Sequence, residues 1–298
     1  MKAHGLVLIL LVLPMAAQAQ PAPQPPQVAS EPETVYSDAQ REKDDATARR
    51  FVQSLLRPSH SLEGQFTRWK KPVCPHVIGM TKAAAYVVER RIREVAEEAG
   101  VPLNRADPCL PNIEIFVSPE PQATLDAIKK TDFMLLASTP YASTMIQHYP
   151  VQAYYYGFYR DYNGRVWLDM DWEFYLDEPP HVARNGLILK TGIKAEMGMA
   201  TIIVDAGAVS GMTLGSLGDY VALMALAQTP ATGHCQPAPS IANLFLNDCD
   251  ADLHTTSLSN ADLAMLTALY QTPEEPEKLQ WQRLGGNMRR DLEAEGRN

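Results

Sequence analysis

Segments with a helical period and segments with an extended period alternate between residues 81 and 270, and few architectures accommodate that order. Within 81–100, Val88, Ile92, Val95 and Ala99 recur at one-face helical spacing, with Thr81 placed to cap the start and Gly100 the end. Glu89–Arg93, Arg90–Glu94 and Arg93–Glu97 supply i,i+4 pairs, which read as the wet side of that helix. NIEIFV at 112–117 follows as a short strand, and the Ser118-Pro119 step suits a helix over 119–130. Two long strand-like runs, 151–159 and 165–175, flank Asp161-Tyr162-Asn163-Gly164, and Asn-Gly between such runs is a hairpin signal. TIIV at 201–204 reads as a buried strand. Helices over 216–228 and 259–270 each open Ser-x-x-Asp, the pattern of a capping box, at Ser216/Asp219 and Ser259/Asp262. The expected class is therefore α+β: one mixed domain in which a sheet with an antiparallel hairpin packs against helices.

The organisation outside that body follows from composition. Residues 1–19 read as a secretory signal: Lys2 and His4, eight unbroken apolar residues at 6–13, then Ala17-Gln18-Ala19 as a small-x-small cleavage site. Eight apolar residues are far short of the roughly 20 that span a bilayer, so no transmembrane span is expected in the mature chain. Residues 20–46 form a Pro-rich tether, beginning QPAPQPPQ. The globular body is expected over 47–272, and 273–298 is a charged tail broken at Gly285-Gly286, at most a loose helix.

Four cysteines remain, Cys74, Cys109, Cys235 and Cys249, and an even number in an exported chain reads as disulfides. Of three possible pairings, Cys74–Cys109 and Cys235–Cys249 each bracket a local unit. The location implied is periplasmic or secreted. With 26 Lys+Arg against 35 Asp+Glu and a net charge of −9, a nucleic-acid partner is not expected.

The chemical motifs are incomplete. The closest mature histidines, His60 and His76, are 16 positions apart, so no helix presents the His-Glu-x-x-His zinc pair. Asp248, Asp250 and Asp252 match the first calcium-loop positions, but Leu253 and Ser259 stand where Gly and Glu are needed. Gly215-Ser216-Leu217-Gly218 is not a nucleophile elbow. No metal site and no cofactor is implied.

What is left is a constellation of acids. In an extended 165–175 run, Asp169, Asp171 and Glu173 share one face, opposite Val166, Leu168, Met170, Trp172 and Phe174. With Glu178 and His181, three residues apart, they are the candidate catalytic groups of a hydrolase, peptidase- or glycosidase-like. Tyr154 and Tyr156 on the neighbouring run are the candidate ligand-binding aromatics. The leading expectation is a non-catalytic domain that binds a cell-envelope ligand or protein; a structural envelope component is a third reading.

Two resemblances add to this. The runs TIIVDAGAVSGMTLGSLGDYVALMALAQ at 201–228, Pro239-Ser240-Ile241 to Phe245, and LSNADLAMLTALY at 258–270 resemble an exported proteobacterial family of unknown function. Arg68-Trp69, Cys74-Pro75, Glu89-Arg90-Arg91-Ile92 and Cys109-Leu110-Pro111-Asn112 are similar to the same family, which implies compartment and architecture but no activity. The Leu258 to Tyr270 helix also resembles the last helix of metzincin-like zinc proteases. In that register Asp219 to Leu223 fills the zinc-motif slot, which implies a pseudoenzyme scaffold without its metal.

Overall fold

The computed structural model describes residues 38–56, 65–106, 108–131, 133–136, 150–161, 166–168, 193–229, 234–274 and 277–295. The signal and most of the tether lie outside these residues. Helix α1 (Asp38–Leu55) leads into strands β1 (Arg68–Trp69) and β2 (Pro75–Ile78), then α2 (Lys82–Glu98), β3 (Ile113–Ser118) and α3 (Pro121–Thr131). A short 3-10 turn at Phe133–Leu136 precedes β4 (Val151–Asp161), β5 (Val166–Leu168) and β6 (Ile193–Asp205). Helices α4 (Leu214–Ala227), α5 (Asn260–Gln271) and α6 (Glu277–Glu295) complete the described chain.

One sheet runs in the order β2-β3-β6-β4-β5, with β1 also paired to β6. β2 pairs parallel to β3, β3 parallel to β6, and β1 parallel to the lower part of β6. β4 lies antiparallel to β6 along its whole length, and three residues of β5 add at the margin. The α+β class expected from the sequence is thereby corrected. The chain is α/β: its β2-β3-β6 and β1-β6 ladders are parallel and lie between helices, while the antiparallel β4–β5 pairing is confined to Phe158–Arg160 with Val166–Leu168, beside the longer antiparallel β4–β6 ladder. The reason is β2: only four residues long and opened by Pro75, it carries too little periodicity to announce the β2-α2-β3 crossover. The 165–175 run contributes Val166–Leu168 to the sheet, and the rest of it lies outside the described residues.

One face of the sheet forms the main core. Ile113, Ile115, Ala200, Ile202 and Val204 pack there with Val88, Ile92 and Val95 of α2 and with α4. Every residue of α4 from Ser216 to Ala227 is buried, as an all-round apolar helix must be. A helix end buried this deeply needs donors for its last carbonyls. Trp69 Nε1 donates to Ala225 O at 2.8 Å, Tyr155 OH to Met224 O at 2.9 Å, and Tyr270 OH to Leu226 O at 2.7 Å. Arg68 closes α5 in the same way, donating to the carbonyls of Leu269 and Thr272. The two residues of β1 thus cap both helices.

One charge read as solvated, Glu89, is structural instead, and so is its neighbour Arg91. Glu89 accepts from Val77 N at 2.8 Å and so fastens β2 to α2, while Arg91 Nε meets Asp219 Oδ1 at 2.5 Å. Asp219 is not the capping-box partner of Ser216: Thr213 caps α4, accepting from Ser216 N, and Asp219 Oδ2 accepts from Leu258 N at 3.0 Å. The segment read as a charged tail is α6, with Gln280, Leu284 and Met288 buried. Its Gly285 is a contact point, since a Cβ there would lie 2.6 Å from Arg49 Cγ of α1.

Cys74 is joined to Cys109, and Cys235 to Cys249. The first bridge ties the start of β2 to the segment entering β3, 35 residues on. No helix of the described residues is long and apolar enough to cross a membrane.

Gly79 ends β2 at φ 92°, and a Cβ there would collide with the carbonyl oxygen of Val117. The left-handed backbone and the clash act together, so Gly79→Ala is expected to cost about 3 kcal/mol. Urea unfolding of the variant checks this: a loss below about 1 kcal/mol would mean that the β2–β3 junction relaxes freely.

Candidate functional site

The alternation of β4 divides its tyrosines between two faces. Tyr155 points into the helix side, where its hydroxyl serves Met224 O and also Thr229 O at 3.0 Å. Tyr154 and Tyr156 point to the opposite face. The upper half of that face is covered by α3 and the 3-10 turn, and Leu125, Ile128, Leu136 and Ile203 pack with Tyr154. Tyr154 is 5% exposed; burial pushes its phenol up to about 12, and among the described residues its hydroxyl meets no hydrogen-bond partner. Thr201, directly across on β6, has its Oγ1 in the same condition. Tyr154 is therefore a core residue, and of the two candidate aromatics only half-buried Tyr156 meets the surface.

Tyr156 sits where β4 and β6 change register. The irregularity places Gly198 beneath two rings: a Cβ there would lie 3.0 Å from Tyr156 Cδ1 and 3.1 Å from Phe158 Cε1. Glycine at 198 is thus what lets both rings lie close to β6. Beyond them, the Arg160 guanidinium lies 5.6 Å from the Phe158 ring centroid, and its Nε and Nη2 reach the Glu196 oxygens at 3.0 and 3.4 Å. Arg160 and Lys194 are register partners, which puts Lys194 on the same face. Lys194 Nζ binds Glu274 Oε2 at 3.1 Å, and Lys70 takes the other oxygen, Oε1. Burial pushes the Glu274 carboxyl up, but the two ammonium groups outweigh it and hold the carboxyl below its ordinary value.

The face therefore runs from an aromatic step, Tyr156 and Phe158, to a charged end formed by Arg160, Glu196, Lys194, Lys70 and Glu274. Sequence reasoning found the tyrosines and missed the charged end. A signal was available: in IKAEM at the start of β6, Lys194 and Glu196 alternate with Ile193, Ala195 and Met197.

The other candidates fall elsewhere. Asp169, Asp171, Glu173, Glu178 and His181 lie outside the described residues. Among the described residues, no three His, Cys, Asp or Glu side chains are grouped to hold a metal ion. Asp219 and Leu223, which fill zinc-motif slots in the protease resemblance, are an ion-pair partner and a core residue. Asp262 is also structural. It accepts from Ser240 Oγ, Ile241 N, Ser259 N and Ser259 Oγ, and these four donors pull against the burial that pushes its carboxyl up.

A comparison with family models, curated proteins and solved structures finds no match to the chain.

Proposed function

We propose that the chain is an exported, non-catalytic domain that binds a cell-envelope ligand on the β4–β6 face. The observation that carries this reading is the seating of Tyr156 and Phe158 over Gly198 beside the Arg160–Glu196 pair. Phe158 is buried and Tyr156 half-buried, so one partly exposed ring is bordered by fixed hydrogen-bonding groups, a composition that suits a binding site. Export is supported by the N-terminal apolar run and by the two disulfides, which persist in an oxidising compartment. The non-catalytic part is supported by the use made of reactive-looking groups among the described residues. Asp219, Asp262, Ser259 and Arg68 are hydrogen-bonded into helix ends and crossings.

The test is a binding screen of the mature chain against solubilised envelope fragments, followed by titration calorimetry on the fragment retained. Tyr156→Ala is expected to weaken that binding about tenfold, the loss of one exposed aromatic contact, with the thermal midpoint nearly unchanged. Binding that survives Tyr156→Ala undiminished would remove this face as the site. N-terminal sequencing of exported protein should begin at Gln20.

A further inference from the structure

We infer that the ligand is an acidic saccharide, its anionic group held at the charged end of the face by Lys194 and Lys70. The inference rests on the binding-face reading above and names the ligand's chemistry. In a chain of net charge −9, the described side chains at this end of the sheet carry more positive than negative charge. Arg68, Lys70, Arg160 and Lys194 surround two carboxylates, Glu196 and Glu274.

Both carboxylates are already engaged. Glu196 receives two Arg160 nitrogens, and Glu274 gives one oxygen to each lysine. Each ammonium has three donors and spends one on Glu274. The Lys194 side chain is 57% exposed and that of Lys70 38%, so their other donors face solvent and are open to a further acceptor. Behind them Arg68 is 3% exposed, its guanidinium donating to the carbonyls of Leu269 and Thr272. Its charge acts on Glu274, which places it in the same cluster.

The saccharide part follows from the neighbouring rings. Tyr156 offers a half-exposed face four residues along the strand from Arg160, about 13 Å at extended spacing. A ligand that engages both ends has to combine a ring with an apolar face and a carboxylate or phosphate set along a chain of such rings. An oligosaccharide of uronic acid units has that pattern; a neutral one lacks the anion.

The experiment uses the mature, disulfide-bonded chain and two probes, a trigalacturonate and the corresponding neutral galactose trisaccharide, titrated at low and at physiological salt. Saturable binding of the trigalacturonate is expected, at least tenfold tighter than the neutral sugar and weakened by salt. The K70Q/K194Q variant changes two partly exposed side chains and is expected to lose that preference while keeping its thermal midpoint. Equal binding of both sugars, or a preference unchanged in K70Q/K194Q, overturns the inference and leaves the binding-face reading standing. Binding of neither sugar also overturns it, and the envelope-fragment screen with Tyr156→Ala then decides that reading separately.

Discussion

Replacing Asp262 with alanine lowers the thermal midpoint by about 8–16 °C on the following argument. Asp262 is fully buried, and its two oxygens collect four donors from two separate parts of the chain. Ser259 N and Oγ belong to the start of α5, while Ser240 Oγ and Ile241 N belong to the 3-10 turn at Ile241–Asn243 inside the Cys235–Cys249 loop. Alanine leaves the backbone N–H groups of buried Ile241 and half-buried Ser259 without this acceptor. Each stranded donor costs about 1–3 kcal/mol, so a total near 4 kcal/mol is expected. For a domain of this size each kcal/mol moves the midpoint by about 2–4 °C. Calorimetry of the variant checks the value. A shift under 3 °C would show that water or a local rearrangement replaces the carboxylate. Ser216→Ala gives the contrast: Thr213 already caps α4, so a loss of about 1 kcal/mol or less is expected.

The same contrast shows how far the sequence could be read. Ser259/Asp262 and Ser216/Asp219 are one pattern, Ser-x-x-Asp before an apolar run, and only the first is a capping box. The second differs because Thr213, three residues earlier, starts the helix and frees Asp219 to bridge Arg91 and Leu258 N. A local motif states which bonds are available, and the tertiary partners decide which ones form. Helix α2 was legible because its apolar face, its Thr81 cap and Gly100 at φ 75° agree with one another. The cysteine units were legible because each loop is short and local. The pairing of the strand before α2 was not, and the fold class failed with it, since four residues of β2 do not show that they run parallel to β3 through the α2 crossover. A loose helix was legible in the tail, but its continuity and burial were hidden by Gly285-Gly286, which reads as a break when the packing of α1 is unknown and as a close crossing once it is known. At the candidate site, Tyr156 was visible by residue type. Its separation from Tyr154 and Tyr155 depended on which face the helices cover.

Alkaline unfolding is expected to be unusually steep, because the tyrosines that close the helix ends cannot ionise where they are. Burial pushes the phenols of Tyr154 and Tyr220 up to about 12, and those of Tyr155 and Tyr270 further still. Tyr155 and Tyr270 also donate their hydroxyl protons to α4 carbonyls, bonds that a phenolate cannot make. In the unfolded chain all four ionise near pH 10. Below pH 10 the phenols are neutral in both states and stability is unaffected by them. Above pH 10 the folded chain keeps protons that the unfolded chain has lost, so unfolding releases protons and stability falls as pH rises towards the folded values. Each tyrosine contributes about 1.4 kcal/mol per pH unit in that window, and four together contribute about 5.6 kcal/mol per unit. Against a stability of about 5–15 kcal/mol, the fold should collapse within about one to three units above pH 10. Tyrosinate absorbance followed together with circular dichroism tests this. Four phenols are expected to ionise in the same cooperative step as the loss of helix, and Tyr155→Phe should make the alkaline slope shallower by about 1.4 kcal/mol per pH unit. If instead all tyrosines titrated smoothly near pH 10 with helical signal retained, the hydroxyls of Tyr155 and Tyr270 would not be the groups that hold the end of α4.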